Sequence, residues 1–298
     1  DRHVFDLPTL LNPGDLLIFN DSKVFRARLH GKHAGRTHEV FLLHARQGPE
    51  GQWATLISNL KKLREGDQLM LADGSHATLV LKNVNEGTCT VNFHRSNTEV
   101  FSLSDTYGEI PTPPYVDGKG IQATQYQTIY AKHIGSVAAP TAGFHFTPEL
   151  LKSLKQKGIQ QAFVTLHVGL GTFRPMKTDR LEQHTMHEEW GELPEATAQA
   201  ITNTKKRGGR VIAVGTTAVR VLETFQGKTG EGWTRLFITP GYSFTTIDAL
   251  LTNFHLPKST LLVLVSAFAG REHMLNAYDH AIKNNYRFYS FGDAMLII

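Results

Sequence analysis

The spacing of apolar and polar positions divides the chain into two rhythms. Between Asp15 and His94, short apolar runs are cut by Gly31, Gly48, Gly51, Gly66-Asp67, Asp73-Gly74 and Glu86-Gly87. The runs Leu16–Asn20, Val24–His30, Glu39–Ala45, Trp53–Ser58, Gln68–Leu71, Thr78–Lys82 and Cys89–Phe93 have the length of strands. Two of them, Ala54–Ser58 and Cys89–Phe93, alternate strictly, as half-buried strands do. Many short strands with no helical period among them predict a small antiparallel β-barrel. A short helix over Glu99–Tyr107, the Pro-rich Ile110–Tyr115 and a Gly- and Gln-rich loop over Asp117–Thr128 follow.

After Ala139, helical and strand patterns take turns. Thr147-Pro148-Glu149 opens a helix with an N-cap hydroxyl, Pro at the first position and an acid in the first turn. Leu150, Leu151 and Leu154 give it an apolar face, and Gly158 stops it. Strands are expected at Ala162–Val168, Arg210–Val214, Leu236–Thr239 and Ala294–Ile298, and helices at Pro194–Arg207, Thr216–Phe225, Ser259–Phe268 and Arg271–Asn284. Such alternation predicts an α/β sheet with helices on both faces.

Composition changes this picture little. With 298 residues, 41% of them hydrophobic and 19% charged, the chain has the length of two ordinary domains, or of one carrying a large insertion. No apolar run approaches the length of a membrane span, since Leu261–Ala269 is half that length and is broken by Ser266. Cys89 is the only cysteine, which excludes intramolecular disulfides and Cys-based zinc sites and fits a reducing, cytoplasmic setting. A net charge of +4 and 15 histidines admit an anionic partner without demanding one. The clusters Lys61-Lys62-Leu63-Arg64 and Lys205-Lys206-Arg207 also read as solvated turn and helix-end residues.

Candidate chemistry sits in the turns of the second half. Arg210-Val-Ile-Ala-Val-Gly215-Thr216-Thr217-Ala-Val-Arg220 runs a strand through Gly into a helix that begins with two threonines. Free N–H groups, hydroxyls and the positive dipole end then meet at a strand's carboxyl end, and Arg220 lies one turn further on. An anion site and a plain N-cap, with Arg220 in a salt bridge, both fit that spacing. No GxGxxG and no Walker lysine is present. The string Val164–Pro175 carries His167, then Gly169, Gly171, Thr172, Phe173 and Arg174, a turn in which glycines let backbone approach a ligand closely. His184 and His187 precede Glu188. The i, i+3 spacing could put both on one helix face as metal ligands, although an acid/base pair or substrate clamp fits better than HExxH-type zinc binding. Two further turns, with Thr141, Gly143, Phe144 and His145 and with Thr252, Asn253, Phe254 and His255, each bring a hydroxyl, an aromatic ring and an imidazole to a helix start.

Taken together these strings resemble one family closely. They are PGDLLIFND (Pro13–Asp21), GEIPTPPY, YQTIYA, AAPTAGFHFT, VTLHVGLGTFRP, HTMHEEW, GGRVIAVGTTAVRVLET, LTNFHLPKSTLLVLVSAFAGRE and YRFYSFGDAMLI, in order along nearly the whole chain. The family is the S-adenosylmethionine:tRNA ribosyltransferase-isomerases of queuosine biosynthesis. The resemblance implies a mixed-sheet α/β catalytic domain (residues 1–14 and 108–298) with an inserted small antiparallel β-barrel domain (15–107). It implies transfer of the ribosyl part of S-adenosylmethionine onto 7-aminomethyl-7-deazaguanine at the tRNA wobble position, with adenine and methionine leaving and epoxyqueuosine formed. Adenosylmethionine is then a consumed co-substrate, with no other cofactor and no metal. The expected partner is tRNA, with no membrane, and the expected setting is a cytoplasmic monomer.

That chemistry asks for a base and an acid, and His145, His167, His184, His187 and His255 are the candidates. His167 and His145 are the preferred pair, with Glu188 as a carboxylate that orients or faces a cation. Gly215, Thr216, Thr217 and Arg220 are expected to hold a carboxylate or phosphate, and Phe144, Phe173 and Phe254 to stack on a base. Asn20 and Asp21 extend the expected substrate surface. Against the family's pattern the chain opens directly at DRHVFDLPTLLNPGD, so it reads as truncated. Tyr115–Gln125 and Gly227–Gly232 are short, and Val24-Phe25-Arg26-Ala27-Arg28 replaces the usual Pro-Ala-Arg. Two rivals remain: a catalytically inactive tRNA-binding module, and a metal hydrolase ligated by His184, His187 and a third histidine.

Overall fold

The computed structural model describes residues 1–83, 87–112, 123–169, 176, 178 and 180–298. The loop expected over Asp117–Thr128 lies outside the described residues as far as residue 122. The chain folds into two compact units: 1–23, 127–133 and 139–298 form one, and 24–126 and 134–138 the other.

The first unit is built on β1 (Leu16–Asn20), which every residue of its apolar run fits because both faces of the strand are buried. The next strands in the chain are β2 (Ser22–Val24) and the strands of the second unit: β3 (Arg28–His33), β4 (Arg36–Ala45), β5 (Gln52–Ile57), β6 (Gln68–Leu71), β7 (His76–Asn83) and β8 (Thr88–Asn92). After β9 (His133–Ser136) come β10 (Gln160–Leu166), β11 (Glu189–Leu193), β12 (Val211–Val214), β13 (Gly230–Thr234), β14 (Ala249–Asn253) and β15 (Ala294–Ile297). The sheet of the first unit has seven strands in the order β13-β11-β10-β1-β12-β14-β15. β10, β1, β12 and β14 run parallel, while β11, β13 and β15 are antiparallel additions at the edges. It is a mixed α/β sheet.

Alternate residues of the parallel strands face opposite sides. Leu17 and Phe19, Ile212 and Val214, and Ala249 and Leu251 meet Leu7, Leu11, Leu150 and Leu154 in one core. These leucines come from α1 (Leu7–Leu10), its C-cap and α3 (Pro148–Gln156). The opposite face, with Leu16 and Ile18 fully buried, is covered by α4 (Glu195–Lys206) and α5 (Thr216–Thr224). Thr147 caps α3 and Ser259 caps α6 (Thr260–Ala269), each accepting from an N–H three residues on, and α7 (Arg271–Lys283) follows. No helix among the described residues is long and apolar enough to cross a membrane.

The second unit is a closed antiparallel barrel in the order β3-β4-β5-β8-β7-β6, followed by α2 (Asn97–Tyr107). Ser96 and Glu99 form a capping box at the start of α2. Trp53, Phe25 and Phe101 pack edge to face, and Trp53 Nε1 donates to Asn97 Oδ1 at 3.0 Å.

Three sequence expectations change. Leu16–Asn20, expected in the barrel, is the central strand of the large sheet, so the chain leaves the α/β unit after Lys23 and not at residue 15. An apolar run buried on both faces cannot be told from a barrel strand by pattern alone. Leu236–Thr239 forms no strand; the edge strand is Gly230–Thr234, paired with Glu189–Leu193, which the pattern also missed. One glycine and two acids mask the alternation of Glu189–Leu193, in which only Glu189, Gly191 and Leu193 are buried.

The start of β1 is pinned by an ion pair. Asp15, 2% exposed, accepts from the Arg210 backbone N–H, Nε and Nη2 at 3.1, 3.2 and 2.7 Å, and from Asn12 N–H at 2.8 Å. Burial would raise its pKa, but the bonds from Arg210 and Asn12 outweigh it and hold the carboxyl below 3.8. Asp15→Ala is expected to cost about 2–3 kcal/mol in urea unfolding, less than a fully buried pair because Arg210 is partly solvated. A loss indistinguishable from zero would contradict this. Because the folded pKa is depressed, the contribution is present above pH 3.8 and fades as pH falls through the folded value.

Candidate active site at the carboxyl edge of the parallel strands

Open α/β sheets bind ligands beyond the carboxyl ends of their parallel strands. Here the register brings four such ends level. Asn20 pairs with Val164, Ile18 with Ala213, and Val214 with Leu251. Carried on along the strands, these pairs put Asn20, Gly215 and Thr252 across neighbouring strand ends, while β10 runs on to Thr165 and Leu166 and is followed by His167.

Asn20 is the clasp of this edge. Fully buried, it donates from Nδ2 to Leu166 O at 3.0 Å, and its Oδ1 accepts from Leu166 N–H at 3.0 Å and from Ser22 N–H at 3.1 Å. All of these bonds are internal, so Asn20 ties β1 to the end of β10 at this edge. Asp21 accepts from Thr165 Oγ1 at 2.7 Å and lies 3.6 Å from His133 Nε2. Burial raises its pKa, against Thr165, His133 and Lys132, which all lower it.

His167 follows directly on β10. Its ring stacks on Trp190 at 5.3 Å and 21°, its N–H donates to Trp190 O at 2.9 Å, and its Nδ1 is 2.8 Å from Ser22 Oγ. Burial, and then the neighbouring His133, depress its pKa to about 4. His255 is likewise pushed down to about 4 by burial; its Nε2 meets Thr252 Oγ1 at 3.0 Å and its N–H donates to Tyr278 OH at 2.6 Å. Both rings are therefore neutral near pH 7.

The turn Thr141–His145 is a 3-10 helix. Residues three apart eclipse in that geometry, so Ala142 and His145 share a face. A Cβ at Gly215 would lie 3.4 Å from Ala142 Cβ, which places this face against the start of α5. Among the described residues, His145 Nε2 and Asn253 Oδ1 are both buried with no hydrogen bond of ordinary geometry. Burial lowers the pKa of His145, while Asn253 and then Asp293 favour the charged ring. The Asn253 amide is oriented by Nδ2, which donates to Tyr289 O at 2.9 Å, so the unbonded atom is an acceptor. Gly143 must be glycine: a Cβ there would collide with the Tyr130 hydroxyl and Thr128 Cγ2. Phe144 stacks on Phe291 at 5.5 Å.

Gly215 has φ +86°, which an L side chain would resist. It turns β12 into α5, whose first residues Thr216 and Thr217 are buried; Thr217 Oγ1 has no partner among the described residues. Arg220 does not join them, contrary to the expected anion grip. Its buried guanidinium is ion-paired with Glu189 and donates to Leu236 O and Thr234 O at 3.3 and 3.4 Å. Burial lowers its pKa to about 10, so it remains a cation. Glu189 also accepts from Gly169 N–H at 2.8 Å, tying the turn after β10 to the ion pair.

Several other expected residues fall elsewhere. Glu188 lies on the exposed side, 2.5 Å from Arg235 Nη2, so the cation it faces belongs to the protein itself. His184 and His187 share no helix: residues 184–188 carry no helical turn, His184 packs edge-on to Phe237, and His187 is exposed. Among the described residues no three His, Cys, Asp or Glu side chains are grouped to hold a metal. Phe254 is no stacking platform. It is 3% exposed and packed among Tyr278, Tyr286 and Phe288. Gly171, Thr172, Phe173 and Arg174 lie outside the described residues. Ser22, His133 and Glu189 were not foreseen from the sequence. Ser22 directly follows Asn20-Asp21, whereas nothing in the sequence separated Glu189 from Glu188, because the alternation along Glu189–Leu193 is masked.

Known proteins share this chain's whole length. Residues 1–297 match the queuosine biosynthesis protein family. The chain belongs to that family. It is also similar to the crystal structure of the S-adenosylmethionine tRNA ribosyltransferase from Thermotoga maritima, at 35% identity and a TM-score of 0.51, over 99% of this chain and 86% of the other. The family match spans both the strand ends described above and the barrel.

Two consequences can be measured. Glu189→Ala strands a buried guanidinium and is expected to cost about 3–5 kcal/mol of stability, whereas Glu188→Ala, at a solvated pair, costs under about 1 kcal/mol. Equal costs would reverse this assignment. The folded pKa values of His167 and His255 lie below the ordinary 6.5. The unfolded chain therefore binds more protons, and stability should fall as pH drops from 6.5 toward 4, as followed by thermal unfolding.

Proposed function

We propose that this chain is a tRNA-modifying transferase-isomerase that moves the ribosyl moiety of S-adenosylmethionine onto 7-aminomethyl-7-deazaguanine at the wobble position of tRNA. Membership of the queuosine biosynthesis family over the whole chain carries this reading. The likeness to a solved S-adenosylmethionine tRNA ribosyltransferase supports it. In the reaction the aminomethyl nitrogen gains a bond to the ribosyl carbon unit, and the C–N bond to adenine and the C–S bond to methionine break. The carbon unit closes to the epoxycyclopentanediol of epoxyqueuosine, and one proton is released net. Adenosylmethionine is consumed, and no resident cofactor is invoked.

The carboxyl edge is suited to this work. Proton transfer from the amine or from a carbon beside the sulfonium needs a neutral base, and burial keeps the His145 imidazole below its ordinary pKa. His167 faces the same edge from β10. The N–H groups at the start of α5, with Gly215, Thr216 and Thr217, offer a place for the methionine carboxylate or a phosphate. The protein is placed in the cytoplasm, with its tRNA substrate, and acts as a monomer in this reading.

The test is incubation with adenosylmethionine and tRNA bearing the aminomethyl-deazaguanine. Adenine and methionine should appear in equal amounts, only with the modified tRNA, and the tRNA should gain the transferred unit. A folded protein that releases no adenine would sink the proposal. His145→Ala should slow adenine release by about 10²–10⁴-fold if His145 is the base.

A further inference from the structure

We infer that Ser22 fixes the tautomer of His167, so that the neutral ring presents its Nε2–H to substrate as a hydrogen-bond donor and not a lone pair as a base. The substrate's identity rests on the transferase reading above; the tautomer is a property of the free protein.

Ser22 is fully buried, its Oγ lies 2.8 Å from His167 Nδ1, and no other described group bonds that oxygen. A hydroxyl with a single partner can accept from Nδ1–H, which strands its own proton in the interior. Alternatively it can donate to an unprotonated Nδ1, which leaves only lone pairs unused. Stranding a buried donor is the heavier cost. Ser22 therefore donates, Nδ1 accepts, and the single proton of the neutral ring sits on Nε2.

Both partners are held in place. The Ser22 N–H donates to Asn20 Oδ1 at 3.1 Å, and the same Asn20 amide clasps Leu166, the residue before His167. The ring cannot turn freely, because Trp190 stacks on it at 5.3 Å and accepts from its backbone N–H. No described group bonds Nε2, so this N–H is available at the carboxyl edge. Burial and the adjacent His133 keep the ring neutral near pH 7. A neutral imidazole with Nδ1 occupied is a poor proton acceptor at Nε2. It serves an electron-rich atom of the bound substrate as a fixed dipole, and Ser22 is its positioning residue.

The test has two arms. In the free protein labelled with 15N-histidine, with His167→Gln used to assign the signal, Nδ1 of His167 should resonate as an unprotonated nitrogen and Nε2 as a protonated one. In Ser22→Ala that preference should weaken or reverse. A protonated Nδ1 in the unaltered protein, or an unchanged tautomer in Ser22→Ala, overturns the inference. In the second arm adenine release is measured. The Gln amide keeps an N–H near the Nε2 position but cannot take up a proton. His167→Gln should stay within about tenfold of the unaltered protein, while His167→Ala loses about 10²-fold. A Gln variant as slow as the Ala variant shows that proton uptake matters and removes the donor role. Should Ser22→Ala not fold, the tautomer of the unaltered protein and the Gln comparison still decide. Failure of the transferase reading would show separately, as no adenine from the unaltered protein while the nitrogen spectrum stands.

Discussion

A strand lying parallel between two others cannot slip by one residue without exchanging its faces, and β1 lies so between β10 and β12. Its ends are tied against such a slip. At the start, Asp15 holds Arg210 at the head of β12; at the finish, the Asn20 amide takes both polar groups of Leu166 on β10 and the N–H of Ser22. Everything the candidate site contains follows from that register. It sets Asp21 against Thr165 and Ser22 against His167. It also puts Gly215 and Thr252 level with Asn20, and so brings the start of α5 and the Thr252–His255 turn to the same edge.

Burial sets the chemistry of that edge. The imidazoles of His145, His167 and His255 are driven toward the neutral form here, and they differ in what their nitrogens meet. His255 is engaged by Thr252, His167 by Ser22, and His145 keeps a buried Nε2 beside an unbonded acceptor on Asn253. The charges that must stay charged are paired out of the way. Arg220 and Glu189 neutralise each other inside the sheet edge, and Glu189 spends its second oxygen on the backbone of Gly169. The cost of burying that pair is met by hydrogen bonds to the remaining guanidinium protons from Thr234 and Leu236. An arginine so committed is a structural strut, and the start of α5 presents its backbone N–H dipoles and hydroxyls without it.

Much of this was legible in the sequence where one signal sufficed. Capping residues at Thr147 and Ser259 and the Gly215 turn marked element ends through local chemistry, and both unit types were visible in the change of rhythm. The assignments that failed needed a long-range partner. Leu16–Asn20 reads the same in a barrel or a central parallel strand, and only its pairing with residues far along the chain distinguishes them. Glu188 and Glu189 are chemically identical neighbours, separated by which of them points toward Arg220. Phe254 looked like a stacking ring because nothing local shows that Tyr278, Tyr286 and Phe288 return to cover it. The ordered strings named the family, but the partners of Asn20, Ser22 and His167 came only from the geometry.

The central claim is that substrate meets the carboxyl ends of β1, β10, β12 and β14. Hydrogen–deuterium exchange with and without S-adenosylmethionine tests it directly. Slowed exchange is expected at Asp21–Lys23, His167–Gly169, Gly215–Thr217 and Thr252–His255, with no change at the opposite strand ends around Asp15, Arg210 and Asp248. Protection confined to those opposite ends, or to the barrel strands, would contradict it.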